Sequence, residues 1–435
     1  MSRHIVADVL RHHTAEREGF EPSEAGYPYL TGLANPRTRP GYATSPGWTK
    51  CKSSLPALEQ ASPSISMMSD ERILAIDIGA GTMDVVVHDP AQPMENAVQL
   101  VLPSATSILG KRIEEARHAG KPVFLHGNLM GGYHTTNAVW RHLEAGLAVY
   151  ATAKAAGTVH DNADLLRQRG VRIVDDDRTW SGDRAPDDVP TDAVRIELHD
   201  VDLPRLERTL AAYDVTLPAT VAIAAQDHGF SPGYSNRLFR FDHWRRTLTP
   251  GSTLIDHVWE RPPQYMTRLV AIQEDVPGAL VADTGPVAVL GALEDERVAA
   301  AAEGGACIVN VGNQHVLGLL VRGRELLGVM EHHTEAVTTA KLERLITRLV
   351  AGTVTHDEVF DDDGHGALVL EGYRQLAPFT FIAVTGPNRH LAKPLGWYFA
   401  APHGAMMLSG CFGLIRGVQA LRARQGRAEA AGLVS

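Results

Sequence analysis

Residues 73–89 read ILAIDIGAGTMDVVVHD, two apolar arms around the centre Asp77-Ile78-Gly79-Ala80-Gly81-Thr82-Met83-Asp84. Arms rich in Ile and Val about a glycine-containing centre are the pattern of a β-hairpin. A strand, a glycine turn and a returning strand gather backbone N–H groups at a tight bend, where they can cradle a phosphate. Gly79 and Gly81, with the small Ala80 between them, permit positive φ and the close approach of an oxygen. Thr82 adds a hydroxyl donor. Asp77, at the end of a strand that reads as buried, is an expensive carboxylate unless it meets a cation, directly or through water. The plainer alternative is a hairpin with a solvated Asp, yet this centre holds more small and acidic residues than a turn needs.

An echo occurs at residues 306–323, ACIVNVGNQHVLGLLVRG, again strand, glycine, polar turn and strand. Asn310 takes the place of Asp77 and Gly312 that of Gly79, with Asn313 and Gln314 in the turn. Two such hairpins facing one another would hold a nucleoside triphosphate and its metal from both sides. A third signal, TFIAVTGPNRHLAK at residues 380–393, ends an apolar strand in Thr385-Gly386-Pro387-Asn388-Arg389. A flat adenosine can lie against such a turn, with Arg389 covering a ring or reaching a phosphate. Each is a short glycine match; their order carries the weight.

The 435 residues are 44% hydrophobic and 21% charged, the composition of a globular chain with two or three structural units. A net charge of −10 argues against nucleic acid as the partner. Cys51, Cys307 and Cys411 are too dispersed for a disulfide framework or a CxxC knuckle. No apolar run reaches the roughly 18 residues of a membrane span, and the N-terminus lacks an apolar signal core, so a cytoplasmic location is expected. Residues 1–66 are rich in Pro, Ser, Gly, Thr and Arg without periodicity and read as a disordered extension. Gly19-Phe20-Glu21-Pro22 also back-translates to a string like the T-arm of a transfer-RNA gene, which would make Met67 or Met68 the natural start. From Arg72 on, strand-like runs (ILAIDIG, TMDVVVHD, VQLVLP, KPVFLHG, GVRIVDDD, AVRIELHD, TVAIAAQ, ACIVNVG, HVLGLLVRG, ELLGVMEHH, TFIAVTG) alternate with helical stretches, the mark of an α/β protein. Helices are expected over residues 139–156, over residues 338–350 with Leu342, Leu345, Ile346 and Leu349 on one face, and in the last stretch beyond Gly404.

The order of the three motifs resembles the phosphate-1, phosphate-2 and adenosine motifs of the actin-like ATPase superfamily, which includes sugar kinases, heat-shock chaperones and actin. More narrowly, the chain resembles DUF1786, a bacterial and archaeal family labelled as a pyruvate formate-lyase activating enzyme. The residues behind the narrower likeness are DIGAGTMDV, HGNLMGGYH, AAQDHGFSPGYSNRLFRFDHW, EHHTEAVTTAKLERLI, VFDDDGHGA and VTGPNRH, and it spans about residues 72–424. The resemblance implies two α/β lobes on RNase H-like sheets, residues 67–305 with a specificity insert and residues 306–435, with ATP and Mg²⁺ between them. Asp77 would face Mg²⁺ or its water shell. Gly79, Ala80, Gly81, Thr82, Gly312, Asn313 and Gln314 would hold phosphates, and Gly386, Pro387 and Arg389 the adenosine. The family label fails a chemical test: radical S-adenosylmethionine activases need three cysteines in a CxxxCxxC loop, and this sequence has none. Cys307 and Cys411 sit among apolar neighbours and read as inert buried thiols. The superfamily usually places an acid where Asn310 stands, and an amide cannot act as a base. Gln226, Asp227 or Asp84 would then orient the nucleophile.

Other polar clusters have bland readings beside the chemical ones. Of the 20 histidines, His126, His134, His228, His315, His332, His333, His365 and His390 mostly flank glycines at strand ends, and without HxH or HExxH spacing they are expected to line a pocket rather than bind zinc. HGNLMGGYHTTNAVW reads as a βα turn with an N-cap among Thr135, Thr136 and Asn137, or as an anion site. SPGYSNRLFRFDHW, with Arg237 and Arg240, either grips an acidic substrate or joins the lobes through arginine–aspartate pairs. Asp361, Asp362 and Asp363 read as a solvated loop. The function expected is that of a Mg-ATP-dependent phosphotransferase or ATPase acting on a small molecule; the alternative is a nucleotide-gated activator of a partner enzyme with slow hydrolysis.

Overall fold

The opening hairpin forms as its pattern predicts. Ile73–Ile78 (β1) and Thr82–His88 (β2) pair antiparallel with Asp77 opposite Asp84, and Val98–Pro103 (β3) continues the meander. Leu74, Ile76, Val85 and Val87 enter one core layer, Ile73, Ala75 and Val86 another, so the sheet is covered on both faces. This computed structural model describes residues 70–174, 186 and 188–430. The extension expected over residues 1–66, the candidate starts Met67 and Met68, and Cys51 lie outside the described residues.

The next strands leave the first sheet. Val123–Gly127 (β4), Val149–Thr152 (β5), Val171–Val174 (β6) and Val194–Leu198 (β7) form a separate parallel sheet in the order β6-β5-β4-β7. Thr220–Ala225 (β8), Val258–Trp259 (β9) and Leu280–Asp283 (β10) then return, β8 parallel to β1 and β10 parallel to β8, giving the order β3-β2-β1-β8-β10-β9. A third sheet repeats that plan from Ala306–Val311 (β11), His315–Arg322 (β12), Glu325–His333 (β13), Gly366–Val369 (β14), Phe381–Thr385 (β15) and Tyr398–Phe399 (β16). Its order is β14-β13-β12-β11-β15-β16. In both sheets an antiparallel meander carries parallel strands beside its first member. Two RNase H-like sheets of this order make the chain an α/β protein of the actin-like ATPase fold. Among the described residues, no helix is long and apolar enough to cross a membrane.

Every run read as a strand pairs in one of the sheets, but the helix expected over residues 139–156 does not exist as one element. Tyr133–Glu144 is the helix, Gly146 turns at φ +77°, residues 149–152 are β5, and Ala153–Val159 is a second helix. The alanine-rich run has helical propensity, yet Val149, Tyr150 and Ala151 pair with Val123, Phe124 and Leu125 in a buried sheet, and tertiary pairing prevails. The first of these helices is also entered earlier than expected, after Gly132, and Thr135 is a buried hydroxyl donating to the Thr106 carbonyl at 3.2 Å. Thr339–Val350 follows its pattern: Thr338 caps it and Leu342, Leu345, Ile346 and Leu349 are buried.

The last helix, Ser409–Ala430, packs Cys411, Phe412, Leu414, Ile415 and Val418 against Ile73, Ala75 and Val86 of the first sheet. It crosses the helix Thr284–Ala292, whose Val289, Leu290 and Ala292 reach the core under Ile308 and Leu317 of the third sheet. The crossing is backbone on backbone: a Cβ on Gly291 would overlap the Ser409 carbonyl, and one on Gly413 the Val287 carbonyl. Cys307 and Cys411 are both buried, and burial pushes the Cys307 thiol up to about 12 and that of Cys411 well above its usual value.

Gly413→Ala is expected to force these helices apart and lower stability by about 1–3 kcal/mol. Gly426→Ala, on the exposed end of the same helix where an added Cβ meets nothing, is expected to raise stability by up to about 1 kcal/mol. Denaturant unfolding of the two variants checks the contrast.

Candidate functional site

A cleft of about 630 Å³ is lined by both hairpins, the Thr385-Gly386-Pro387 turn and residues of the 105–200 insert. The hairpin turns share one geometry: the Gly79 amide donates to the Thr82 carbonyl at 2.8 Å, and the Gly312 amide to the His315 carbonyl at 2.9 Å. The turns also meet, since a Cβ on Gly81 would lie 3.0 Å from Asn313 Nδ2. Gly386 has φ +96°, and any side chain there would overlap Asn310 Oδ1 and the Val311 carbonyl. Asn388 ties this turn to the second hairpin, its amide donating to the Val311 carbonyl and its Nδ2 to the Gly312 carbonyl, both at 3.0 Å. Gly79, Ala80, Thr82, Gly312, Asn313, Gln314, Gly386 and Pro387 all line the cleft. Arg389 does not: the helical turn that it opens directs its Nη1 to the Ala400 carbonyl at 3.0 Å, with the guanidinium over the Phe399 ring.

The first hairpin is acidic where the second is not, because Asp77 faces Asp84 whereas Asn310 faces Leu317. Asp77 accepts from Thr284 Oγ1 at 2.5 Å, and its carboxylate fills the space that a Cβ on Gly410 would need. Among the described residues, Asp84 Oδ1 has no hydrogen-bond partner. Burial raises Asp77 to about 6, with Asp283 adding to the effect, and raises Asp84 to about 8 with help from the charge of Asp77. The cation whose charge reaches Asp77, Arg268, is bound to Asp200 through two 2.8 Å bonds.

Opposite them stands a polar wall. Gln226 follows β8 and donates from Nε2 to Glu331 Oε1 at 2.7 Å. Asp227 is spent on backbone: it accepts from Gly229 at 2.8 Å and from Arg268 and Leu269 at 2.9 and 3.1 Å, capping the start of the helix Thr267–Asp275. Arg240, fully buried on the helix Asn236–Thr247, pairs with Asp283 of β10 and, at 2.8 Å, with Glu331 of β13. Burial opposes the charge of Glu331, but Arg240 and nearby histidines hold it well below the carboxylate range. SPGYSNRLFRFDHW is therefore a lobe-joining segment at Arg240, while Arg237 binds the Phe360 and Gly364 carbonyls. The acidic loop is likewise committed, Asp362 accepting from Lys341 and Arg344.

Sequence reading missed Asp283, Glu331, Arg240 and Arg268 as a set. The signal available was a lone acid inside the apolar run ELLGVMEHH, which no local feature explains. His315, His333 and His365 gather beside Glu331, with ring centroids 4.6–5.3 Å apart, and His228 joins them from the first lobe. Burial pushes His228 and His315 well below the usual imidazole range and His365 to about 2.

The family model described as "Putative pyruvate format-lyase activating enzyme (DUF1786)" matches residues 130–391. No curated protein matches the chain. Among solved structures, the ethanolamine utilization protein EutJ from Carboxydothermus hydrogenoformans is 9% identical, with 79% of this chain and 88% of that one covered and a TM-score of 0.27. A Bacteroides thetaiotaomicron protein with an actin-like ATPase fold and unknown function is 9% identical over 80% and 97% of the two chains, TM-score 0.30. The activator of the 2-hydroxyisocaproyl-CoA dehydratase from Clostridium difficile, with bound ADPNP, is 8% identical over 82% and 97%, TM-score 0.23. It is the strand order of the two sheets that identifies the fold.

Arg240→Met is expected to leave Asp283 and Glu331 buried and unpaired and to cost about 3–5 kcal/mol in urea unfolding. Buried His257, its ring tilted 47° against Trp244 and neither ring nitrogen partnered among the described residues, is lowered by burial to about 3. The unfolded chain, with imidazole near 6.5, binds the proton first, so this residue contributes stability above pH 6.5 that is lost as pH falls toward 3. Between pH 7 and pH 5 the loss is about 2 kcal/mol at this one site, and a His257→Leu variant should lose about 2 kcal/mol less stability over that interval.

Proposed function

The chain belongs to the DUF1786 family, and from that premise we propose that its cleft binds Mg-ATP and serves phosphoryl transfer to, or ATP hydrolysis on behalf of, a small molecule. One observation carries the reading. Two hairpin turns of the same geometry meet across a cleft in which two facing carboxylates, half-buried Asp77 and buried Asp84, have no cationic side chain bonded to them among the described residues. Turn amides suit phosphate oxygens, and adjacent carboxylates suit a hard cation. Asp77 and Asp84 would hold Mg²⁺ directly or through its water shell; when bound, the ion would supply positive charge to phosphate oxygens.

The chain's own groups have separate tasks in this reading. Ala80 and Gly81 on one side and Asn313 and Gln314 on the other offer the amides not spent in closing the turns. Gly386 and Pro387 present flat backbone to an adenosine. Gln226, whose Nε2 is held by Glu331, keeps Oε1 to accept from a water or a substrate hydroxyl, so it orients the nucleophile. Asp227, with its oxygens on three amides, positions the helix start rather than the nucleophile. The small molecule would meet the loop of residues 129–133 and Asp161, which line the cleft at the carboxyl ends of the parallel insert sheet, where α/β folds place ligands. A cytoplasmic location accords with the use of ATP.

A second reading, a nucleotide-gated activator of a partner enzyme, is favoured by Asn310, which stands where an acid would promote attack and cannot act as a base. Radical activation is not proposed, for want of a three-cysteine loop.

Calorimetric titration of the full chain with ATP and Mg²⁺ is expected to show binding, weakened at least about tenfold, or 1.4 kcal/mol, in Asp77→Asn. No heat of binding up to millimolar nucleotide would sink both readings. Phosphate release that is slow and unaffected by a metabolite set, with binding intact, would favour the activator over the phosphotransferase.

A further inference from the structure

His228, His315 and His365, grouped with Glu331, have no task in that nucleotide reading, on which the present inference does not depend. One ligand atom from each lies within 4.8 Å of the others. His228 follows β8 in the first lobe, and the remaining three belong to the second: His315 opens β12, Glu331 lies in β13 opposite Leu317, and His365 precedes Gly366, the β14 partner of Glu331. We propose that these four side chains bind one divalent transition-metal ion of the zinc class, which ties the loop after β8 to the second lobe's sheet beside the second hairpin turn.

Three imidazoles and a carboxylate form a borderline donor set, which selects zinc, cobalt, nickel or iron over magnesium and calcium. In a tetrahedral zinc site the donors lie about 2.1 Å from the ion and so roughly 3.4 Å from each other; reaching that from the observed spacing takes side-chain shifts of about 1 Å. Two of the imidazoles are otherwise unexplained. Among the described residues, neither ring nitrogen of His315 has a hydrogen-bond partner, and neither does Nδ1 of His365. Buried polar atoms without partners are uncommon, and histidines serving only to line a pocket would be expected to bond to it.

The surroundings are those of a supported ligand set. Glu331 is fixed by Gln226 on Oε1 at 2.7 Å and by Arg240 and Trp244 on Oε2 at 2.8 and 3.3 Å. Asp283 matches the charge of Arg240, so the guanidinium is not a free positive neighbour. His333 donates from Nδ1 to the Asp363 carbonyl at 2.7 Å and therefore accepts at Nε2 from His365 Nε2 at 3.0 Å. That chain of bonds leaves the lone pair of His365 on Nδ1, the atom without a partner. Such outer bonds orient metal ligands and select their tautomers.

The test uses the full chain stripped with a chelator and then titrated with Co²⁺, whose visible d–d bands report four-coordinate binding, followed by competition with Zn²⁺. One equivalent of Co²⁺ with tetrahedral-type absorption, displaced by Zn²⁺, is expected for the native protein and for Asp77→Asn, so the result stands apart from nucleotide binding. In His315→Ala and His228→Ala the absorption should be lost or the affinity reduced by about 10–100-fold or more, with the far-ultraviolet circular dichroism unchanged. Histidines elsewhere in the chain can also take metal, so the variants decide. Absence of stoichiometric Co²⁺ binding, or bands that persist unchanged in both histidine variants, would overturn the proposal.

Discussion

Arg240 lies buried between Asp283 at the end of β10 and Glu331 in β13, one acid from each RNase H-like sheet. Three charges taken out of water are costly, and their mutual attraction offsets that cost only while all three remain in contact. Separating the sheets at this point would strand at least one charge in a dry interior. The triad therefore restricts how the ends of the two sheets sit beside the cleft, and it sets the neighbours of everything on the polar wall. Gln226 is oriented by Glu331, and the histidine group collects around the same carboxylate.

The rest of the joint is made of small residues. Gly291 and Gly413 let two helices cross at backbone distance, while Gly410 admits the carboxylate of Asp77 against the start of the last helix. Larger side chains at these points would push the helix off the first sheet and move Asp77 relative to the second hairpin. The acidic hairpin is thus held from behind by the chain's last helix, some 330 residues later in sequence, a contact marked by Cys411 Sγ against the Asp84 carbonyl at 3.2 Å.

Legibility followed range. The hairpins were readable because a strand, a glycine turn and a returning strand are consecutive, and the same bond closes both turns. Asp84 became Asp77's opposite through β1–β2 register, which the turn length dictates. The helix expected over residues 139–156 failed because local propensity there competes with a parallel pairing to β4, and propensity is the weaker term. Arg389 was placed by its nearness to the glycine turn, but a helical turn starting at that residue aims it at the Ala400 carbonyl instead.

The sequence by itself determined the order of the strand runs, the two glycine hairpins, the acid in the first and the amide in the second, and the absence of a radical-activase cysteine loop. These are local facts, carried by neighbouring residues and by the period of a strand. Tertiary structure alone decided which polar residues meet. Arg240 finds partners 43 and 91 positions away, and the proposed metal ligands come from four separate segments of two lobes. No spacing rule foresees such meetings, because sheet pairing and helix crossing bring those side chains together only once the chain has folded.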